Sequence, residues 1–332
     1  MQEILNVKNL SMHFPILGGI LKKPVGKVYA LNDVSFTLNA GETLGVVGES
    51  GCGKTTLGRT LVRLYDPTAG ETRFQGREIN GASKDDLKHI RAEMQMVFQD
   101  PYSSLNPRMT IRDTLLEPLE LYGRGNRKER EQSVGKILEI VGLRKVDQYK
   151  FPHEFSGGQR QRIGIARALI LHPKLIIADE PVSALDVSIQ SQILNLLVSL
   201  QNEFNLTYIF ISHDLTVVKY ISTKVAVMYL GRIVEIATAA DIYARPQHPY
   251  TRALISAVPI PDPKKKKKGE VLPGDIPSPS NPPSGCAFHT RCKYAKDICS
   301  KTRPELTAHT GDKSHVSACH FVKEIQKQED NQ

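Results

Sequence analysis

The chain has 332 residues, enough to bury one large core and to hold a smaller appended unit. Its apolar and charged fractions are those of a soluble globular protein, and no stretch approaches the roughly 18 apolar residues of a membrane-spanning helix, so any pore must come from other chains. The net charge is +9, but five of the excess charges lie in the run Lys264–Lys268, and basic residues do not alternate with aromatic ones, which argues against nucleic-acid binding.

The first 100 residues are predicted to alternate short strands with polar turns around a glycine-rich loop. An apolar run at Thr43–Val47 predicts a buried strand, and Thr55–Leu64 predicts a helix. Between them the sequence GESGCGKTT fits G-x-x-x-x-G-K-[ST], a loop whose backbone N–H groups surround nucleotide phosphates. Further strands are predicted at Gly70–Phe74 and Met94–Phe98.

This loop supplies the predicted nucleotide contacts. Lys54 provides positive charge for the β and γ phosphates, and the Thr55 hydroxyl is expected to hold Mg²⁺. The full set of predicted loop contacts is Gly48, Ser50, Gly51, Cys52, Gly53, Lys54, Thr55 and Thr56.

The middle of the chain changes from helical spacing to a βαβ pattern. Residues from about 101 to 165 have helical spacing, including 111–121 and 127–141. After Pro173, a strand at Leu175–Ala178, a helix at Val187–Phe204 and a strand at Tyr208–Ile211 predict a parallel sheet. Two strands at 225–229 and 232–236 are predicted to form a hairpin through Leu230–Gly231.

Carboxylates and a histidine follow two of these strands. Nucleotide binds at the carboxyl ends of parallel strands, where Asp179, Glu180 and His213 fall. Asp179 is expected to reach Mg²⁺ or its water, and Glu180 is expected to face the water that attacks the γ-phosphate.

The tail begins with eight prolines between Pro259 and Pro283, which predict an extended linker. Beyond it Cys286, Cys292, Cys299 and Cys319 are spaced C-x5-C-x6-C-x19-C, whereas Cys52 belongs to the phosphate loop. The N-terminus lacks the features of a signal peptide, so we expect a cytosolic chain with reduced cysteines, and four clustered thiols then indicate a metal. Zinc and iron–sulfur clusters both suit thiolates, and His289 and His320 keep a mixed zinc site open.

The combination of the phosphate loop, the string FSGGQ at 155–159 and the Asp-Glu pair resembles the ATPase subunit of an ATP-binding-cassette (ABC) transporter. The resemblance implies an α/β P-loop cassette with a mixed or parallel sheet core, an antiparallel β subdomain and a helical subdomain at about 101–165. The cassette would span residues 1–258, and residues 259–332 would form the linker and a small cysteine-rich extension.

The resemblance also implies roles for particular residues. Ser156, Gly157, Gly158 and Gln159 would contact the γ-phosphate of ATP held by the opposite subunit. Gln99 would sense Mg²⁺, the loop 183–186 would touch the opposite subunit, and His213 would hold the γ-phosphate and the attacking water. Phe14 would stack on adenine, although the nearby Tyr29 leaves that assignment open.

Three longer segments, at 98–110, 245–259 and 273–292, resemble the oligopeptide and dipeptide importer branch. Members of that branch can carry a [4Fe–4S] cluster on such a tail, which would make Cys286, Cys292, Cys299 and Cys319 its ligands, with Zn²⁺ as the alternative metal. Free cysteines packed as small apolar residues are a further alternative.

The resemblance predicts an ATP-hydrolysing subunit that powers peptide import at the cytoplasmic face of the membrane. Its expected partners are a second ABC ATPase subunit, identical or not, two integral membrane permease subunits and an extracytoplasmic peptide-binding receptor, with no nucleic acid. Another cargo such as nickel, a non-transport role in DNA repair or translation, and a non-catalytic interaction module are the alternatives. The complete set Lys54, Asp179, Glu180 and His213 argues against the last of these.

Overall fold

The structure, a computed structural model, describes residues 2–19, 22–100, 102, 104–258, 272–309 and 311–330. Its strands are β1 (Glu3–Gly18), β2 (Lys23–Asn39), β3 (Thr43–Val47), β4 (Ala69–Phe74), β5 (Arg77–Glu78), β6 (Met94–Val97), β7 (Leu175–Asp179), β8 (Thr207–Ile211), β9 (Lys224–Tyr229), β10 (Arg232–Thr238), β11 (Thr307–Ala308) and β12 (Val316–Ser317). Its α-helices are α1 (Lys54–Leu61), α2 (Lys84–Glu93), α3 (Ile111–Leu121), α4 (Arg127–Ile140), α5 (Gly157–Leu169), α6 (Val187–Phe204), α7 (Leu215–Ile221), α8 (Ala239–Ala244), α9 (Pro249–Ser256), α10 (Asp297–Lys301) and α11 (Val322–Asp330). Among these described helices, none is both long and apolar enough to cross a bilayer.

The chain forms two compact units. The first comprises Met1–Leu5, Leu38–Thr43 and Phe74–Ile211, and the second comprises Asn6–Thr37, Leu44–Arg73 and Ser212–Gln332. The Lys264–Lys268 run and residues 259–271 of the predicted linker lie outside the described residues.

The first unit contains the predicted parallel strands. Strand β7 pairs in parallel with β6, Met94 opposite Leu175, and with β8, Leu175 opposite Thr207. All five residues of β7 and all five of β8 are buried, as expected for apolar strands covered on both faces. Asp179 therefore ends a strand that is fixed on both of its edges.

The predicted helical segment of the first unit forms α3, α4 and α5, which contact one another. Each helix begins at a polar residue that satisfies an unpaired backbone N–H. Thr110 accepts from the N–H of Asp113 at the start of α3. Asn126 and Glu129 form reciprocal side chain–backbone bonds at the start of α4. These caps explain why the helices begin where the sequence predicts them.

The second unit contains β3, which pairs in parallel with β9, Leu44 opposite Lys224. The predicted hairpin is present: β9 and β10 are antiparallel, and Leu230 and Gly231 both have left-handed φ angles, 44° and 73°. Two successive positive φ angles match the twist of hairpin strands.

Strands β1 and β2 differ from the short strands that the sequence predicts. They have 16 and 17 residues, and β1 lies between β2 and β4 in one sheet. Asn9 in β1 and Asp33 in β2 have left-handed φ angles, 52° and 64°, and their side chains are hydrogen-bonded to each other. The polar residues that read as turns are therefore local irregularities inside long strands.

The tail belongs to the second unit and contributes strands to it. Strand β12 pairs antiparallel with β10, Glu235 opposite Ser317, and β11 pairs with β12. Glu235 is fully buried, and its carboxylate accepts from the backbone N–H groups of Gln247 and His248 and lies 2.7 Å from His315 Nε2. These contacts satisfy a buried carboxylate and fix the tail to β10.

Candidate nucleotide site

The phosphate loop follows β3, as the sequence predicts, and its glycines lie where side chains do not fit. Gly48 has φ 153°, and a Cβ there would lie 2.2 Å from the Met228 carbonyl oxygen. Gly53 has φ 105°, and a Cβ there would lie 2.3 Å from the Ala30 carbonyl oxygen. Only glycine permits both this backbone conformation and this close approach. The loop's shape therefore depends on these two positions.

Lys54 is the first residue of α1 and lies against the loop that precedes it. Its side chain is buried, and Nζ donates to the carbonyl oxygens of Gly48 at 2.8 Å and Glu49 at 3.1 Å. An ammonium group held by loop carbonyls is positioned to meet phosphate oxygens at the same loop.

Cys52 is buried within the loop, and its carbonyl oxygen accepts from the Gly231 N–H at 2.9 Å. Burial raises the pKa of the Cys52 thiol above its ordinary value. A raised pKa favours the neutral thiol over the thiolate, and the predicted contact of Cys52 with the nucleotide stays a prediction.

Gln99, Asp179 and Glu180 belong to the first unit. Asp179 is buried at the end of β7, and Glu180 has φ 46°, with its N–H donating to the Ile211 carbonyl oxygen at 2.9 Å. Gln99 Nε2 donates to Glu180 Oε2 at 2.9 Å. The structure thus brings the predicted catalytic carboxylate and the predicted Mg²⁺-sensing amide into direct contact.

The predicted signature residues begin α5. Ser156 Oγ accepts from the Gln159 N–H, and Gln159 Oε1 accepts from the Ser156 N–H at 3.0 Å. Gly158 is buried, and a Cβ there would lie 2.4 Å from Ile189 Cγ2 on α6. Ser156, Gly157 and Gln159 are exposed at a helix N-terminus, where backbone donors and the helix dipole favour an anion.

His213 and Phe14 belong to the second unit. His213 is exposed two residues beyond β8, next to Asp214, which caps α7. Phe14 is half-buried and makes an edge contact with Tyr65, with 5.2 Å between ring centroids, whereas Tyr29 contacts His13. The roles of His213 and Phe14 stay predictions.

The four tail cysteines line one small cavity of about 20 Å³ in the second unit. Burial, together with smaller contributions from charge repulsion by the three other tail thiols, raises the pKa of Cys319 to about 12. Within the described part of the chain, no group of three or more His, Cys, Asp or Glu side chains has the geometry of a metal site. The structure therefore shows that the four thiols share a cavity, and their role as metal ligands stays a prediction.

The two histidines near the cysteines, His289 and His320, also line this cavity, and one ring nitrogen of each lies within hydrogen-bonding distance of a backbone carbonyl oxygen. His289 Nδ1 lies 2.8 Å from the Cys286 carbonyl oxygen, and His320 Nε2 lies 2.9 Å from the Thr302 carbonyl oxygen. A nitrogen that donates to a carbonyl cannot bind a metal ion. Each histidine would have to bind a metal through its other nitrogen.

Sequence reasoning missed two residues of the loop's surroundings. The guanidinium of Arg291, in the tail, donates to both carboxylate oxygens of Glu49, the second residue of the loop, at 2.8 and 3.2 Å. This bond to Glu49 raises the pKa of Arg291 further above its ordinary value. Glu49 is an acidic residue inside a loop whose pattern predicts phosphate binding. A carboxylate there repels phosphate, so its presence in the sequence indicates a neutralising basic side chain nearby.

Comparison with known proteins places these features in one family. Residues 31–183 match the ABC transporter family, and residues 234–299 match the oligopeptide/dipeptide transporter C-terminal region. The oligopeptide transport ATP-binding protein AppF of Bacillus subtilis is 53% identical over 96% of this chain and 98% of its own length. A putative peptide import ATP-binding protein of Brucella ovis is 54% identical over 91% of this chain and 93% of its own length.

Solved structures agree with this assignment of the fold. The ATP-binding cassette MJ0796, in a dimeric post-hydrolysis state bound to ADP and Pi, superposes with a TM-score of 0.63 at 29% identity, covering 71% of this chain and 99% of that chain. CbiO1 of Clostridium perfringens, part of the ABC transporter complex cbiONQ, superposes with a TM-score of 0.63 at 26% identity, covering 74% of this chain and 92% of that chain. The P-loop fold, the loop geometry and the identity over nearly the full length together establish that this chain belongs to the ATP-binding proteins of the ABC transporter family.

Proposed function

We propose that this chain is the ATP-hydrolysing subunit of an ABC importer for di- or oligopeptides and that it acts as one half of a cassette dimer. The observation that carries the proposal is the presence, on one chain, of a complete phosphate loop and a C-terminal region of the oligopeptide/dipeptide transporter type. The names of relatives that are 53% and 54% identical support the peptide cargo. We assign residues 1–258 to the cassette and 259–332 to the linker and extension.

The proposed chemistry is hydrolysis of the γ-phosphate by positioning and electrostatics. Lys54 neutralises phosphate charge, and Glu180, oriented by Gln99, polarises the attacking water, with His213 holding that water and the phosphate. The Thr55 hydroxyl and the buried Asp179 carboxylate are hard oxygen donors that fit Mg²⁺, which when bound would neutralise charge on the phosphates. Ser156–Gln159 would contact the nucleotide of the opposite subunit, and Phe14 would stack on adenine.

The proposed partners follow from transport. Peptide passage needs a pore, which we assign to two integral membrane subunits, and peptide selection needs an extracytoplasmic receptor. The second cassette is a copy of this chain or a related one. This chain would then work at the cytoplasmic face of the membrane, where ATP is available.

Isolation of the complex from membranes tests the proposal. We expect affinity-purified full-length chain to bring down two integral membrane proteins and a cassette, and we expect ATPase activity per chain to fall when the complex is diluted. Undiminished specific activity in a demonstrably monomeric chain would contradict the cassette dimer. Recovery of nucleic acid or ribosomes in place of membrane chains would contradict the transport role.

We further propose that Cys286, Cys292, Cys299 and Cys319 ligate a [4Fe–4S] cluster. One observation supports it: the four thiols line one largely apolar cavity, and thiolate sulfur is the usual ligand of iron–sulfur clusters. Four sulfur donors suit both an iron–sulfur cluster and Zn²⁺, and the chemistry of the set does not distinguish them. The cluster would be structural or redox-active in the tail.

Metal analysis of anaerobically purified protein decides between these options. We expect a brown protein with about four iron and four sulfide ions per chain. Cys319→Ser should lose most of the iron and most of the sulfide. Cys52→Ser is the matched control, since Cys52 lies in the phosphate loop, and it should retain the iron. Colourless protein with stoichiometric zinc would refute the cluster, and protein with neither metal would leave the cysteines as packing residues.

A further inference from the structure

Arg291 connects the cysteine-rich tail to the phosphate loop through a partly buried ion pair. Both of its terminal nitrogens donate to Glu49, and the side chain of Arg291 is only 7% exposed while that of Glu49 is 24% exposed. A two-pronged guanidinium–carboxylate bond that is partly shielded from water fixes the orientation of both groups as well as their distance.

Arg291 is itself held in place by the tail. Its Nε donates to the Pro273 carbonyl oxygen at 3.3 Å, its N–H donates to the Phe288 carbonyl oxygen at 3.0 Å, and its guanidinium lies 6.0 Å from the centre of the Tyr229 ring. Phe288 and Cys292, the residue that follows Arg291, both line the cysteine cavity. The position of Arg291 therefore depends on how the extension is folded.

Glu49 is held a second time through its backbone. Its N–H donates to the Tyr250 hydroxyl at 2.9 Å, and Tyr250 contacts Phe288, with 5.4 Å between ring centroids. The Glu49 carbonyl oxygen accepts from Lys54 Nζ. The tail thus fixes the side chain of a residue whose backbone positions the phosphate-binding lysine.

Charge gives the pair a second effect. A carboxylate in a loop that binds a triphosphate repels the ligand unless it is neutralised, and the repulsion is strongest where water is excluded. Arg291 cancels the charge of Glu49. Without Arg291, the loop would keep an uncompensated negative charge next to Lys54.

We infer that Arg291 is a positioning residue for ATP: through Glu49, the cysteine-rich extension keeps the phosphate loop neutral and in its nucleotide-binding conformation. The inference rests on the proposed function, since it presumes that this loop binds ATP. It makes the extension part of the nucleotide site through the contact of Arg291 with Glu49.

Binding of a fluorescent ATP analogue with Mg²⁺ to the full-length chain tests the inference. We expect Arg291→Met to weaken binding of the analogue about tenfold, because removing one partner of a hydrogen bond between charged groups typically has an effect of this size. Arg291→Lys keeps the positive charge but cannot make the two-pronged bond of the guanidinium, so we expect it to weaken binding about threefold. In Glu49→Gln/Arg291→Met the unpaired carboxylate is gone, so binding should recover most of the loss.

Arg303→Ala is the matched control. Arg303 also pairs with an acidic residue, Asp33, at 2.7 Å, but Asp33 precedes the phosphate loop in sequence and the side chain of Arg303 is 42% exposed. It should bind the analogue as the unmodified chain does.

Wild-type affinity in Arg291→Met would overturn the inference, and so would a double variant that binds no better than Arg291→Met. If Arg291→Met does not fold, Arg291→Lys decides: a threefold loss supports the inference and unchanged binding overturns it. Failure of the unmodified chain to bind the analogue would instead refute the proposed function.

Discussion

Replacing Glu180 by glutamine is expected to lower ATP turnover about a thousandfold while leaving ATP affinity within a factor of about three. A general base acts only on the reacting water, so its loss affects the transition state far more than the bound nucleotide. The substitution is nearly isosteric, and the glutamine oxygen can still accept from Gln99 Nε2, the contact seen at 2.9 Å. Single-turnover hydrolysis and equilibrium binding on the same preparation separate the two effects.

The matched control for this change is Glu203→Gln, on the exposed end of α6. It makes the same chemical change away from Asp179 and should leave turnover unaltered. Turnover in Glu180→Gln within tenfold of the unmodified chain would remove Glu180 from the proposed chemistry. An equal loss of affinity and turnover would show that the carboxylate supports binding instead.

Replacing Lys54 by methionine is expected to weaken ATP binding about a hundredfold, since a charge-assisted contact to phosphate is lost at a buried position. Methionine has a similar length and suits burial, so the packing of the loop should survive. Nζ also donates to the carbonyl oxygens of Gly48 and Glu49, and the substitution removes both of these bonds. Calorimetric titration with MgATP gives the affinity directly.

Lys128→Met, at an exposed position of α4, is the control for loss of one positive charge. It should bind MgATP normally. Unchanged affinity in Lys54→Met would mean that the phosphates are held elsewhere, and the assignment of the loop as the nucleotide site would be wrong.

Most helices and parallel strands could be predicted because their signals are local. Helix α6 spans Val187–Phe204 as predicted, since Asp186 caps its start and Asn205, with φ 51°, ends it. The lengths of β1 and β2 could not be predicted in this way. Asn9 and Asp33 are residue types that favour turns, whereas in the structure they lie inside β1 and β2 and their side chains are hydrogen-bonded to each other.

In the candidate site too, residues in local motifs could be predicted, whereas contacts between distant parts of the chain could not. Each string that could be found in the sequence is short and continuous, such as the phosphate loop or the start of α5. The partner of Glu49 lies 242 residues away, and no local pattern indicates which of the many arginines would reach it. Likewise, the spacing of the cysteines predicts clustering, but only folding shows that they share one cavity.

The pairing of β12 with β10 has a consequence for any shortened form of the chain. A polypeptide ending at residue 258 would keep the pairing of β10 with β9 but lose β12. The edge of β10 would then be unpaired at Glu235 and Ile236, and the buried Glu235 carboxylate would lose its contact with His315. Such an open edge recruits strands from other molecules. We therefore expect a chain that ends at residue 258 to aggregate more readily than the full-length chain.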